Sequence, residues 1–233
     1  MYFFNSGLQD AQIIEVENLS PKVRRIRISG QSIQQVSWQP GDKIKILAGP
    51  KLRSYTPSRI NNTEGWMDIV FYLHGNGKAS DWAKTAKVGI ETCFLGPVRS
   101  MPSFDDKPDW VIFLGDETTI GLAVSLLKDL SPSVNVHGAI ELAAPDIPSL
   151  QKMDLDLTPA IRTQKHGDAL LQWLEDFNIP EGKGLVWLSG EVSSVRALKT
   201  SLMARGLHRS QLKIKPYWSV KGHAHRKSLQ PTL

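Results

Sequence analysis

Apolar and polar positions alternate with period two through the first hundred residues, and then the pattern changes. "AQIIEVENL" (11–19) and "VRRIRISG" (23–30) each place one face in a core and the other in water. "KIKILAG" (43–49) repeats the pattern after Pro40, Gly41 and Asp42, a turn by composition. "MDIVFYLH" (67–74) is almost continuously apolar, which predicts a strand buried on both faces, and "ETCFLGP" (91–97) is a short last strand. A helix is predicted from Ala79 to Ala86, ending near Gly89. Five or six short antiparallel strands predict a small Greek-key barrel over residues 1–103.

Residues 98–109 carry prolines and aspartates and read as a linker. Beyond it the apolar runs become continuous: "WVIFLGDE" (110–117), "VNVHGAIEL" (134–142), "LDLTPAI" (155–161) and "GLVWLSGE" (184–191). Between or after them come helical spacings at 118–130, where Thr118 or Thr119 is the expected N-cap, at 167–177, and at 193–206, closed by Gly206. Apolar strands alternating with helices predict a doubly wound α/β domain with a parallel sheet over residues 108–233.

Composition narrows the function. Apolar content of 41% and charged content of 22% suit a globular chain. No window reaches the roughly 20 apolar residues of a membrane span, and the start lacks the basic-then-apolar layout of a secretion signal. Cys93 is the only cysteine, which excludes an intrachain disulfide or a cysteine-held iron–sulfur cluster and fits the reducing cytoplasm. From Val192 onward there are nine Lys/Arg and no acid, leaving 19 basic against 23 acidic side chains before it. Such a basic end attracts an anion or is a solvated face. Nucleic acid is not expected, because no recognition motif accompanies the charge.

The chemistry sits in two stretches. In "RSYT" (53–56) an extended backbone puts Arg53 and Tyr55 on one face, with Ser54 and Thr56 on the other. An arginine can clamp a diphosphate, a tyrosine can lie on a flat ring, and a threonine hydroxyl can reach a ring nitrogen. In "HGNGKASDW" (74–82), Gly75 and Gly77 feed a helix start whose free N–H groups suit a phosphate, and Lys78 adds charge. The glycine spacing is not that of a Walker loop.

Together these pieces resemble the siderophore-interacting proteins, the FAD-dependent ferric-siderophore reductases of the ferredoxin–NADP reductase-like superfamily. "RSYT", "HGNGKASDWA", "FLGP", "GDET" (115–118), "WLSGE" (187–191) and "YW" (217–218) with Gly222 follow in family order. The resemblance implies that Arg53, Ser54, Tyr55 and Thr56 hold FAD and its phosphate. His74, Gly77, Lys78, Ala79 and Ser80 would line the pyrophosphate, and the backbone of Tyr72, Leu73 and His74 the pyrimidine edge. Gly115, Asp116, Glu117 and Thr118 would meet the nucleotide crevice with Gly190 and Glu191. Trp218 or Tyr217 would approach the flavin or the substrate mouth. The chain departs from the family at Ser58, where an arginine is common and Arg59 follows, at Thr119, and at "YWSVKG", which lacks two arginines. It also ends soon after, so a C-terminal helix is not expected.

The implied activity is reduction of a ferric siderophore with NADH, NADPH or a reduced ferredoxin as donor, by a monomer that needs neither a catalytic acid or base nor a metal ligand. Lys51, Lys221, Arg226 and Lys227 are the expected contacts of the anionic chelate, and His223 and His225 are solvated. Arg162 and Lys165 suit a 2′-phosphate, whereas Glu141 suits a ribose 2′-hydroxyl. The alternatives are a flavin reductase with a protein partner and a non-enzymatic module that binds ferric chelates; bound FAD separates the second from the others.

Overall fold

The computed structural model describes residues 7–49, 51–75, 77–100 and 107–220, organised by two sheets. The first is antiparallel and seven-stranded: β1 (Gln9–Asn18), β2 (Val23–Ser29), β3 (Lys43–Ala48), β4 (Lys51–Tyr55), β5 (Arg59–Asn61), β6 (Trp66–Tyr72) and β7 (Glu91–Val98). Their order is β4-β3-β7-β1-β2-β6-β5. The sequence predicts five or six strands; the extra one is β5, whose three residues are too few to show a period. Strand β6 is buried at Met67 through Phe71, as its continuous apolar run predicts.

Alternation works in β3, where Ile44, Ile46 and Ala48 are fully buried and Lys45 is exposed. These residues join Ile13, Ile26 and Phe94 in the barrel core. Two short helices complete this part, α1 (Gln31–Gln34) and α2 (Lys78–Thr85). Helix α2 turns Ala79 and Ala83 into the same core.

The second sheet is parallel: β8 (Trp110–Asp116), β9 (Asn135–Leu142), β10 (Thr158–Ile161), β11 (Gly184–Glu191) and β12 (Leu212–Trp218), in the order β10-β9-β8-β11-β12. Helices α3 (Ile120–Leu127) and α4 (Pro148–Lys152) bury residues in one core, and α5 (Asp168–Asp176) and α6 (Val192–Ala204) in a second. Strands β8 and β11 are buried throughout, as central parallel strands must be when helices cover both faces. The sequence reading does not include β12. Lys213, Lys215 and Pro216 interrupt its apolar run, which is tolerable because β12 is an edge strand paired only with β11.

The chain winds one way from β8 to β9 and β10, and the other way from β11 to β12. The switch point, where open α/β sheets bind ligands, therefore lies between the C-terminal ends of β8 and β11. The barrel abuts this end. A β-carbon on Gly121 of α3 would come within 3.1 Å of the Thr56 carbonyl oxygen. Asp146 accepts hydrogen bonds from Ser20 Oγ (2.7 Å) and the Lys22 N–H (3.0 Å), and Ser125 Oγ accepts one from the Gly41 N–H (2.9 Å). Among the described residues no helix is long and apolar enough to cross a membrane.

Candidate functional site between the two sheets

A cleft of about 480 Å³ opens between barrel and parallel sheet. Arg53, Ser54, Tyr55, Val70, Tyr72 and His74 line its barrel wall. The opposite wall comes from loops and strand ends of the parallel sheet: Glu117, Thr118, Arg162, His166, Tyr217 and Trp218.

The barrel wall is basic and aromatic. Arg53 is exposed, donates to the Leu52 carbonyl at 3.2 Å, and has no carboxylate partner among the described residues. Tyr55 packs on Phe71 with ring centroids 4.4 Å apart, and Phe71 in turn meets Trp82 of α2. Burial pushes the Tyr55 phenol up to about 12, so it stays neutral. Gly77 precedes α2 at φ +135°, and a β-carbon there would stand 3.3 Å from the His74 ring. The N-cap of α2 is Gly77, which has no side chain to cap it, and among the described residues no side-chain cap is made there. Ala79 and Ser80 are buried, so what they offer a ligand is backbone N–H rather than side chain. Leu73 lies away from the cleft, lining a separate groove with Arg24 and Lys152. Such a wall suits a ligand that is flat at one end and anionic at the other.

Thr56 is placed differently from the expectation. It is buried, and its hydroxyl is 3.0 Å from the Tyr217 hydroxyl, joining barrel to parallel sheet rather than facing the cleft. Burial pushes Tyr217 up to about 12. Arg59 does not supply a second positive contact either: its guanidinium pairs with Asp154 at 2.9 Å, while Ser58 is buried with its N–H on the Asp68 carbonyl.

Behind the opposite wall stands Asp116, 5% exposed. Its Oδ1 accepts from the Thr118 N–H (3.0 Å) and hydroxyl, and its Oδ2 from the Glu191 N–H (2.9 Å) and Trp218 Nε1 (2.9 Å). Thr119 is the N-cap residue of α3, as expected, but makes no side-chain cap: its hydroxyl turns back to the Asp116 carbonyl (2.6 Å), and Asp116 caps the short 3-10 turn Glu117–Thr119 that leads into the helix. Burial pushes the Asp116 carboxyl up to about 6 despite these bonds. Glu191 caps α6 through the Ser193 and Ser194 N–H groups; burial opposes its charge, but those bonds and the Val220 N–H hold its pKa below the usual range. Gly115 and Gly190 are spacers. A β-carbon on Gly115 would lie 2.2 Å from Thr119 Oγ1, and one on Gly190 would lie 2.4 Å from Asp116 Oδ2.

An ion cluster forms the remainder of that wall. Arg162 pairs with Glu117 and, through Nε at 3.0 Å, with Glu141. Burial works against the Arg162 charge, but the two carboxylates outweigh it and raise its pKa. Glu141 also accepts from the Gly167 N–H at 2.6 Å, and His166 Nδ1 lies 3.8 Å from it. Tyr72 is pushed up to about 12 by burial and by Glu117. Arg162 and Glu141 are thus paired with each other at the cleft, and Lys165 is exposed beside Asp168.

The cleft thus gathers Arg53, Ser54, Tyr55, Tyr72, His74, Glu117, Thr118, Arg162, Tyr217 and Trp218 of the sequence-derived set, whereas Gly77, Lys78, Ala79 and Ser80 are not among its lining residues. Gly115, Asp116, Gly190 and Glu191 lie behind its wall. The side chain of Lys51, and Lys221, Gly222, His223, His225, Arg226 and Lys227, lie outside the described residues. His166 escaped sequence reading; the available signal was its place just after a strand ending at the C-terminal edge of an open sheet.

Comparison with known proteins gives the same picture. The model of the siderophore-interacting FAD-binding domain matches residues 47–101, and that of the siderophore-interacting protein matches residues 108–221. Ferric acinetobactin reductase of Acinetobacter baumannii is 24% identical over 219 residues, 88% of this chain and 76% of that protein. NADH-cytochrome b5 reductase 2 of Coccidioides immitis is 24% identical over 66% of this chain, which spans half of that protein's length. The crystal structure of a siderophore utilization protein from T. fusca superposes with a TM-score of 0.77 at 24% identity, covering 92% of this chain and 94% of that one.

Proposed function

The chain belongs to the siderophore-interacting protein family, and from that premise we propose that it is an FAD-dependent reductase. It would pass electrons from a nicotinamide donor to a ferric siderophore and release iron in the cytoplasm. One observation carries the reading: an arginine without an acidic partner among the described residues and the Tyr55 and Trp218 rings all line one interdomain cleft.

These residues fit FAD. Arg53 and the α2 N–H groups suit its pyrophosphate, Gly77 leaves room beside His74, and Tyr55 and Trp218 suit its rings. When bound, FAD accepts an electron pair as hydride and passes electrons on singly, which is what a one-electron acceptor such as Fe(III) requires. The protein's own task is placement. Tyr55, Tyr72 and Tyr217 stay uncharged across the working pH range, so they add no negative charge beside an anionic cofactor. The domain contacts at Thr56, Gly41 and Asp146 hold the two walls at a set spacing.

On the donor side the reading favours NADH. A 2′-phosphate seeking Arg162 would have to displace Glu117 and Glu141, both almost fully buried. The chelate, a polyanion held as substrate, would be drawn in by Lys51, Lys221, Arg226 and Lys227, with an advantage that salt removes.

The experiment is direct. Purified protein is reconstituted with FAD, the flavin is titrated anaerobically with NADH and NADPH, and a ferric catecholate is added with a ferrous-iron trap. Bleaching by NADH and iron trapping in step with flavin reoxidation is the expected result. Protein that takes up no FAD, or reduced protein that the chelate leaves unoxidised, overturns the reading.

A further inference from the structure

We propose that Asp116 is a positioning residue that fixes the orientation of Trp218 in the cofactor cleft; the proposal rests on the FAD reading above. A carboxylate offers about four lone-pair sites. Here four donors take them: the Thr118 N–H, the Thr118 hydroxyl, the Glu191 N–H and Trp218 Nε1. Nothing is left for a ligand, so Asp116 acts through its neighbours.

Capping alone does not explain the residue. The helix start uses only Oδ1, and a serine or asparagine would serve it. Oδ2 instead reaches across the sheet to β11 and β12, binding Trp218 at a separation of 102 residues. A buried carboxylate is costly, as the rise of its pKa to about 6 shows, and among the described residues its one long-range side-chain partner is the indole.

Three further features converge on the same bond. Gly190 adopts φ +111° with no side chain, and a β-carbon there would sit 2.4 Å from Asp116 Oδ2. The pairing of β11 with β12 slips at this point: Gly190 faces Pro216, but Glu191 faces Trp218, so Tyr217 is an extra residue in the ladder. That irregularity lets consecutive residues serve one cleft, Tyr217 through Thr56 and Trp218 through Asp116. The Trp218 ring also meets His166 edge-on, with centroids 4.9 Å apart at 89°. The indole is therefore held by a hydrogen bond and by a ring contact while it lines the cleft.

The test is a two-residue cycle with two readouts. Asp116→Asn keeps the side chain's size but replaces an acceptor oxygen with a donor. Trp218→Phe keeps a ring but removes the N–H. In flavin-free protein, the emission that disappears with Trp218→Phe is isolated both in the parent and in the Asp116→Asn variant, and is quenched with acrylamide. Quenching of that component is expected to rise at least twofold in Asp116→Asn, and an unchanged value overturns the proposal. The FAD dissociation constant is expected to rise about tenfold in each single variant, equivalent to about 1.4 kcal/mol. In the double variant it should again be about tenfold above the parent, not a hundredfold. Multiplicative losses, or FAD affinity within twofold of the parent in a folded Asp116→Asn protein, overturn it. Should Asp116→Asn not fold, Trp218→Phe decides: parental FAD affinity overturns the proposal, and a tenfold loss supports it. A parent protein that binds no FAD sinks the cofactor reading instead, and the quenching result then decides the positioning role.

Discussion

Thr56 and Tyr217 stand 161 residues apart in the chain, yet their hydroxyls lie 3.0 Å apart where the barrel meets the end of the parallel sheet. The bond is part-buried, and both residues flank the cleft lined by their neighbours Tyr55 and Trp218. A contact that joins the two domains therefore also sets the distance between the two walls of the site.

Removing either hydroxyl strands the other in a poorly hydrated place. Tyr217→Phe and Thr56→Val are each expected to lower unfolding free energy by about 1–2 kcal/mol in urea titrations. The double variant should cost less than the sum of the two, because no unpaired hydroxyl remains. Additive losses would show that the two hydroxyls do not interact.

Among the described residues, Arg162 is the one cation bonded to both Glu117 and Glu141. Arg162→Leu leaves two nearly buried carboxylates uncompensated and is expected to cost about 3–5 kcal/mol at pH 7. The deficit should shrink as the solution is acidified, because the stranded carboxylates take up protons and lose their charge. Urea midpoints measured at neutral and at mildly acidic pH check this, and a pH-independent deficit contradicts it.

Asp116 gives a second pH dependence. Its folded pKa, about 6, lies above the ordinary 3.8, so the folded state binds a proton more tightly than the unfolded one. Its contribution to stability is thus fully present below about pH 3.8 and is lost as pH rises through 6. Across that window the stability of the parent protein, measured relative to Asp116→Asn, should fall with rising pH. A difference that stays level or grows with pH contradicts the burial argument.

Gly190 tests the close packing around the same carboxylate. Gly190→Ala forces φ +111° on a residue with a side chain and drives its β-carbon toward Asp116 Oδ2. The backbone alone is expected to cost about 1–3 kcal/mol, with the clash adding to it. Thermal unfolding should show the loss, whereas Gly206→Ala, also at positive φ but with nothing within 4 Å, should lose only the backbone part.

Much of the architecture was legible along the chain because its cause is local. Alternation in β3, the buried run of β6 and the continuous runs of β8 and β11 follow from which residues can face a core at a given period. The glycine-fed start of α2 and the "RSYT" strand were legible for the same reason, since side-chain direction and free N–H groups depend on nearest neighbours. Strand β12 was not, because edge strands carry lysine and proline without penalty and so lack a hydrophobic signature.

The partners of the site residues belong to tertiary structure alone. The sequence showed Thr56 and Arg162, and the family resemblance implied Asp116, as groups able to meet a ligand, but folding gives them to Tyr217, to Glu117 and Glu141, and to Trp218. A short-range pattern states what a side chain can bond. Which bond it makes depends on groups far away in the chain: Trp218 comes within about 3 Å of Asp116 only when β8, β11 and β12 align in one sheet, and Tyr217 meets Thr56 only when that sheet packs on the barrel.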